Sequence, residues 1–149
     1  MTFSATSKSV KFDPFAEEHD HLRDILEQIQ LQLDDRSIPR HDILVAFSEL
    51  HREALEHFVH EEQFDGFFDN IIDQAPRLHT SAKRLIAEHM RFLGDLQTMQ
   101  DIVARSPANR WREWVATQYA TFVQRFCQHE QAETELMHEA FYQDIGAED

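Results

Sequence analysis

The sequence predicts an all-α protein, an up-down-up-down antiparallel four-helix bundle, on three observations. Apolar residues recur at spacings of three and four along four long segments, as they do on the buried face of a helix. The 149 residues include only 3 glycines and 4 prolines, which disfavours a turn-rich β fold. The predicted connections are short, so consecutive helices should lie side by side and run in opposite directions.

Prolines mark the predicted helix boundaries. Asp13-Pro14, Ser37-Ile38-Pro39 and Ser106-Pro107 are typical helix starts, because the first turn does not need the N–H that proline lacks. Pro76 separates two further apolar-periodic segments, and Gly146 stands where the last helix should stop. The chain is long enough for one domain with a single core. We therefore predict an N-terminal arm over residues 1–12, one domain over 13–149, and helices over 14–34, 38–72, 77–104 and 107–145.

One pattern of histidine and glutamate occurs twice on the predicted apolar faces. A lone histidine is followed by His-x-x-x-Glu, 38 residues later in the first half of the chain and 40 residues later in the second. Both lone histidines directly follow a glutamate, Glu18 and Glu88. Helix counting places the whole pattern near one layer of the bundle. Its six members, all candidate metal ligands, are His19, His57, Glu61, His89, His129 and Glu133.

Burial of these six polar groups costs free energy, which hydrogen bonds or metal coordination must offset. An unpaired polar group in a core costs about 1–3 kcal/mol, whereas a whole domain is stable by only about 5–15 kcal/mol. Coordination of metal ions would satisfy all six together; the alternative is a metal-free core of hydrogen-bonded His–Glu pairs. His21 competes with His19 but falls off the apolar stripe. For His60, Glu62 and Glu130 a supporting contact is possible, and solvent exposure is expected.

The donor atoms indicate which metals fit. Imidazole nitrogens and carboxylate oxygens without thiolate suit Fe, Mn or Zn. Two ions bridged by both carboxylates, and by one further oxygen, would leave about two positions open if each ion takes about six ligands. Open positions on a redox-active metal accept dioxygen, nitric oxide, peroxide or azide. Two zinc ions would support no redox chemistry.

Four motifs of the sequence resemble the hemerythrin-like, or HHE cation-binding, family. The resemblance covers nearly all of residues 13–145 and implies a four-helix bundle with a non-haem di-iron centre bridged by an oxo or hydroxo group. It also implies that the four histidines are terminal ligands and that Glu61 and Glu133 bridge the irons. The motifs are Asp13-Pro14-Phe-Ala-Glu-Glu-His19, His57-Phe-Val-His-Glu61-Glu62, Ala87-Glu88-His89 and His129-Glu-Gln-Ala-Glu133.

The sequence departs from the oxygen-carrying hemerythrins at two positions. Leu85 stands where those proteins have a histidine four residues before His89. The carboxylate of the last helix is Glu133, four residues after His129, whereas those proteins have an aspartate five residues after the histidine. The pattern is closer to the HHE branch implicated in iron or oxygen sensing and in peroxide or nitric oxide responses. We therefore expect a di-iron protein that binds a small diatomic or peroxide ligand in a sensing or protective role. The alternatives are a di-iron peroxidase or oxidase and an iron-storage protein.

Charge and composition limit the kinds of partner and the cellular compartment that the sequence predicts. The formal net charge of −14 repels phosphate backbones, which disfavours nucleic acid as a partner. No apolar run approaches the roughly 20 residues of a membrane span, and the N-terminus has no secretory h-region. The single cysteine, Cys127, excludes an internal disulfide framework and suits a reducing compartment. We expect a cytoplasmic protein.

Overall fold

The computed structural model describes residues 15–63 and 66–143, and this part of the chain is helical, with no strand. The predicted all-α class is confirmed. The predicted N-terminal arm and the helix start at Asp13-Pro14 lie outside the described residues. None of the described helices is long and apolar enough to cross a membrane. The elements are α1 (Ala16–Asp34), α2 (Arg40–Glu62), α3 (Phe67–Gln74), a 3₁₀ turn (Pro76–Leu78), α4 (His79–Arg105), α5 (Trp111–His138) and a closing π-helical turn (Glu139–Gln143).

The four long helices form a bundle around a common core. α1 packs against α2 and α5, α2 packs against α4, and α4 packs against α5. At one end of the bundle the Arg112 guanidinium donates hydrogen bonds to the carbonyl oxygens of Gln32, at 3.1 Å, and Leu33, at 2.8 Å. The bond to Leu33 serves a carbonyl of the last turn of α1, and the carbonyl of Gln32 also accepts a hydrogen bond from the backbone N–H of Asp35, at 3.3 Å.

The prediction of one continuous helix over residues 38–72 is wrong. α2 ends at Glu62, and the separate helix α3 begins at Phe67. The chain turns back so closely that a Cβ atom on Gly66 would lie 2.8 Å from the carbonyl oxygens of both His60 and Gln63. Only glycine fits this approach without displacing the end of α2.

The fourth helix also starts later than predicted. The carbonyl of Pro107 accepts hydrogen bonds from the backbone N–H groups of Arg110, at 2.9 Å, and Trp111, at 3.0 Å. These bonds form a turn before the helix, so α5 begins at Trp111 rather than at residue 107. The boundary predicted at Pro76 is confirmed, because the 3₁₀ turn begins there.

Two apolar clusters fill the bundle, one on each side of the histidine and glutamate layer. The larger cluster occupies the end near Arg112 and includes Phe92 and Phe126. The smaller cluster includes Leu85 and Leu136 and is covered by α3. Along α4, His89 lies between Leu85 and Phe92. The polar layer is thus enclosed by apolar packing above and below.

We predict that Gly66→Ala destabilises the protein. The added methyl group would press against two backbone carbonyl oxygens, and backbone cannot move aside as a flexible side chain can. The free energy of unfolding should fall by about 1–3 kcal/mol. Thermal unfolding followed by circular dichroism measures this change.

Gly94→Ala is the matched control and should have the opposite sign. Gly94 lies inside α4, and a Cβ atom there would meet nothing within 4 Å. Alanine in a helix interior is favoured over glycine by about 0.5–1 kcal/mol. A stabilising Gly66→Ala would show that the close approach at the end of α2 is not required.

Candidate metal centre

All six residues of the doubled pattern are buried and lie together in one layer of the bundle. Their ligand atoms form two groups, each compact enough to surround one ion. The groups share Glu61, so the two positions are adjacent. One group is His19, His57 and Glu61, and the other is Glu61, His89, His129 and Glu133.

The two carboxylate oxygens of Glu61 face different histidines. Oε2 lies 3.3 Å from His57 Nε2 and 3.5 Å from His19 Nε2. Oε1 lies 3.3 Å from His89 Nε2 on the other side. Glu61 is fully buried, with 0% of its side chain exposed. A carboxylate with this arrangement is positioned to bridge two ions.

Glu133 occupies the corresponding position on α5. Its Oε1 contacts the Nε2 atom of His129, four residues earlier on the same helix face. Its Oε2 lies 3.9 Å from His19 Nε2, which belongs to the other group of ligands. Glu133 therefore also faces both positions.

The buried polar atoms fit a metal better than they fit one another. Within the described residues, both carboxylate oxygens of Glu61 and the Nε2 atoms of His89 and His129 make no hydrogen bond of acceptable geometry. Ligands bound at about 2.1 Å and at right angles lie about 3.0 Å apart. The spacings of 3.3 to 3.5 Å around Glu61 are close to this value. The donor set thus fits two ions with nitrogen and oxygen ligands.

The surroundings of the layer shift the pKa values of two ligands so that their deprotonated forms are favoured. Burial acts to raise the pKa of Glu61, but the close polar groups of Glu133 and of His19, His57 and His89 outweigh it and hold that pKa well below its ordinary value. Burial and the nearby charge of His89 lower the pKa of His129 to about 4. A carboxylate and a neutral imidazole are the forms that bind metal ions.

Three further glutamates hold the outer nitrogens of the imidazoles. Oε2 of Glu62 lies 2.7 Å from His89 Nδ1. Glu18 Oε1 lies 3.1 Å from His57 Nδ1, and Glu88 Oε2 lies 3.2 Å from His129 Nδ1. In the tautomer that leaves Nε2 available for a metal, each Nδ1–H donates to its carboxylate. Each ring is thereby fixed with its Nε2 towards the centre.

The sequence contained a signal for two of these contacts. Glu18 and Glu88 each precede a lone histidine, yet each carboxylate reaches the histidine on the next long helix along the chain. Glu18 on α1 contacts His57 on α2, and Glu88 on α4 contacts His129 on α5. The doubled pattern is therefore larger than its six core residues.

Glu130 was expected to be exposed, and this expectation is wrong. Only 7% of its side chain is exposed, and its Oε2 lies 2.8 Å from Nη2 and 3.0 Å from Nε of Arg23. Burial raises the pKa of Glu130, although the charges of His19 and Arg23 oppose this change. The residue follows His129, but it points to α1 and closes the seam between α1 and α5.

Aromatic rings surround the imidazoles. Phe58 stacks on His89, with ring centroids 4.0 Å apart and planes 7° apart. Phe92 meets His129 edge to face at 5.1 Å, and Phe15 meets His57 in the same manner at 5.7 Å. These contacts fix the ring orientations. Leu85, one turn from His89, is buried in the smaller apolar cluster.

Burial distinguishes His19 from His21, the alternative ligand two residues away. His19 lies in the buried layer, whereas more than half of the His21 side chain is exposed. His60 is also exposed, as expected, and its Nδ1 lies 3.1 Å from Glu18 Oε1. Neither belongs to the buried groups of ligand atoms.

The bundle and its buried imidazole and carboxylate layer define a helical protein of the cation-binding class. The family model of the hemerythrin HHE cation binding domain matches residues 11–141. The chain belongs to this family, which confirms the resemblance inferred from its motifs. No curated protein and no solved structure matches the chain.

Proposed function

We propose that the protein holds two iron ions in its buried layer. His19 and His57 bind one ion, His89 and His129 bind the other, and Glu61 and Glu133 bridge them. The observation that supports this assignment most directly is the divergence of the Glu61 oxygens, which lie at 3.3 to 3.5 Å from imidazoles of both groups. Zinc and manganese also accept these donors, so iron is part of the proposal.

We further propose that the centre binds dioxygen, nitric oxide or peroxide in a sensing or protective role. When bound, a pair of redox-active ions with open positions supplies the place where such a ligand attaches. Leu85 adds no donor next to His89, and the apolar packing around it suits small, weakly polar molecules. The Phe58 and Phe92 rings cover the imidazoles of His89 and His129.

The same proposal includes the order of the helices, the extent of the domain, the cellular location and the partners. An up-down-up-down antiparallel order is supported by contacts between α1 and α5 in which a lower residue number on one helix meets a higher residue number on the other. One domain over residues 13–149, a cytoplasmic location and the absence of nucleic acid partners remain parts of the proposal. Supporting pairs between α1 and α5 are Leu33 with Arg112, Leu26 with Tyr119, Arg23 with Glu130 and His19 with Glu133.

Metal analysis of protein produced with iron tests the assignment directly. We expect two irons per chain and an absorption spectrum of a bridged di-iron centre that changes when azide is added. Fewer than one metal ion per chain, with no such absorption, would contradict the proposal. Sustained turnover of peroxide would instead assign the centre to an enzyme, and many irons per chain would assign it to storage.

We predict that Glu88→Gln weakens metal binding while leaving the fold intact. The amide cannot accept a charge-assisted hydrogen bond from His129 Nδ1 as the carboxylate does, so the ring loses orientation and basicity. Loss of such a partner typically lowers metal affinity about 10- to 100-fold. Competition with a chelator measures the affinity. Glu27→Gln, an exposed change on α1, should bind metal as the parent does.

A further inference from the structure

A surface cavity of about 240 Å³ lies between α1 and α2, directly outside His57. His57 is buried and forms part of the cavity wall, while its Nε2 faces the metal layer. The cavity therefore connects solvent with the outer side of a proposed ligand. Besides His57, five polar residues line it: Glu18, His21, Glu53, Glu56 and His60.

Two imidazole and carboxylate pairs span this cavity from helix to helix. His21 Nε2 on α1 lies 3.6 Å from Glu53 Oε2 on α2. His60 Nδ1 on α2 lies 3.1 Å from Glu18 Oε1 on α1. The two histidines are about half exposed, at 55% and 48% of their side chains. These are the donor types of the buried centre, displayed at the surface.

Two other approaches to the buried layer are less suited to a cation. The end of the bundle near Leu85 is closed by an apolar cluster that includes Phe67 and Phe68 of α3. The seam between α1 and α5 is closed by the ion pair of Arg23 and Glu130, whose guanidinium repels cations. The cavity beside His57 offers carboxylates and imidazoles instead.

We propose that this cavity is a loading site for divalent first-row cations such as Fe²⁺. The cation binds first at one of the two pairs, His21–Glu53 or His60–Glu18, and it then passes to the buried ligands. Imidazole and carboxylate donors suit such cations. Half-exposed side chains surrounded by water hold a cation more weakly than the buried centre does, as transfer requires. This inference rests on the proposed di-iron function.

Arg52 allows an independent test of the loading site. Its guanidinium lies 3.3 Å from Glu53 Oε1 and 3.8 Å from Glu56 Oε1, so it competes with an incoming cation. Ion pairs as exposed as these are weak, and a divalent ion can displace them. Removal of Arg52 should therefore accelerate loading, whereas removal of the two histidines should slow it.

The experiment follows the uptake of Fe²⁺ by metal-free full-length protein in the absence of oxygen at low ionic strength. We expect His21→Ala/His60→Ala to fill its centre about tenfold more slowly than the parent. Arg52→Gln should fill about threefold faster. Both variants should reach the same final iron content as the parent, because neither loses a buried ligand.

Matched variants separate the site from general charge effects. His41→Ala/His79→Ala removes two exposed histidines, and His41 lies 12 residues before Glu53 on α2, or roughly 18 Å along the helix. Arg105→Gln removes an exposed positive charge at the end of α4. Both should load at the parental rate. If the metal-free chain does not fold, iron release from loaded protein to a chelator tests the same route, since entry and exit share their barriers.

The outcomes distinguish this inference from the function on which it rests. A parent protein that binds no iron contradicts the di-iron function itself. A parent with two irons, but with equal rates in all variants and controls, overturns the loading site alone. Slower loading in Arg52→Gln, or lower final iron in the double histidine variant, also overturns it. Opposite changes in rate at unchanged iron content support it.

Discussion

Glu61→Ala is expected to retain at most one iron per chain and to melt well below the parent protein. Glu61 has its two oxygens directed to imidazoles of both groups, so in the proposed centre its removal would take a ligand from both ions at once. An ion present at about 1,000 times its dissociation constant stabilises the folded state by about 4 kcal/mol. For a domain of this size that corresponds to a decrease of about 8–16 °C in Tm.

Iron analysis and calorimetry on the same samples check this expectation. Glu49→Ala is the matched control, because Glu49 is an exposed glutamate on the same helix. It should keep both the parental iron content and the parental Tm. Parental values in Glu61→Ala would show that this carboxylate does not bridge the ions. Equal melting of iron-loaded and stripped parent protein would favour a metal-free core of His–Glu pairs.

Arg23→Ala is expected to cause the second large effect, and to act on stability rather than on metal content. It leaves the buried carboxylate of Glu130 without its cation, and the other oxygen, Oε1, has no hydrogen-bond partner among the described residues. Removal of one partner of a buried ion pair is strongly destabilising. Because Arg23 is itself 24% exposed, we expect a loss of stability at or just below the lower end of the usual range, about 2–3 kcal/mol.

The double variant Arg23→Met/Glu130→Leu distinguishes the lost ion pair from a packing defect. Replacement of a buried ion pair by apolar residues of similar volume is often neutral or stabilising. The double variant should therefore recover most of the Tm that Arg23→Ala loses. Both variants should keep the parental iron content, since neither residue is a proposed ligand. A double variant no more stable than the single one would contradict this account.

The six central residues could be selected from the sequence because a periodic apolar face is a strong constraint. His19 and His129 interrupt such faces, and the structure buries both of them in one layer. The same reasoning separated His19 from His21, two residues away. Helix spacing fixes which side chains share a face, so it identifies a buried polar layer before any contact is known.

Features that depend on tertiary contacts could not be predicted from helix spacing. The apolar period continues through Phe68, so it favoured one long helix, although the Asp65-Gly66 dipeptide is a turn signal. The burial of Glu130 depends on Arg23, which is 107 positions away in the chain. The partner of Glu88 is on another helix, and no local pattern states which neighbour a side chain reaches. These choices are made by packing between helices.

The division of the interior into two apolar clusters has a consequence for cooperativity. The polar layer between them provides little hydrophobic cohesion, so coordination of the proposed ions would join the α3 end of the bundle to the larger core. In metal-free protein we therefore expect the smaller cluster to behave as a separate foldon that opens before the rest. Hydrogen exchange should then show α3 and the adjoining turns of α4 and α5 losing protection first. Binding of the ions would merge two unfolding units into one.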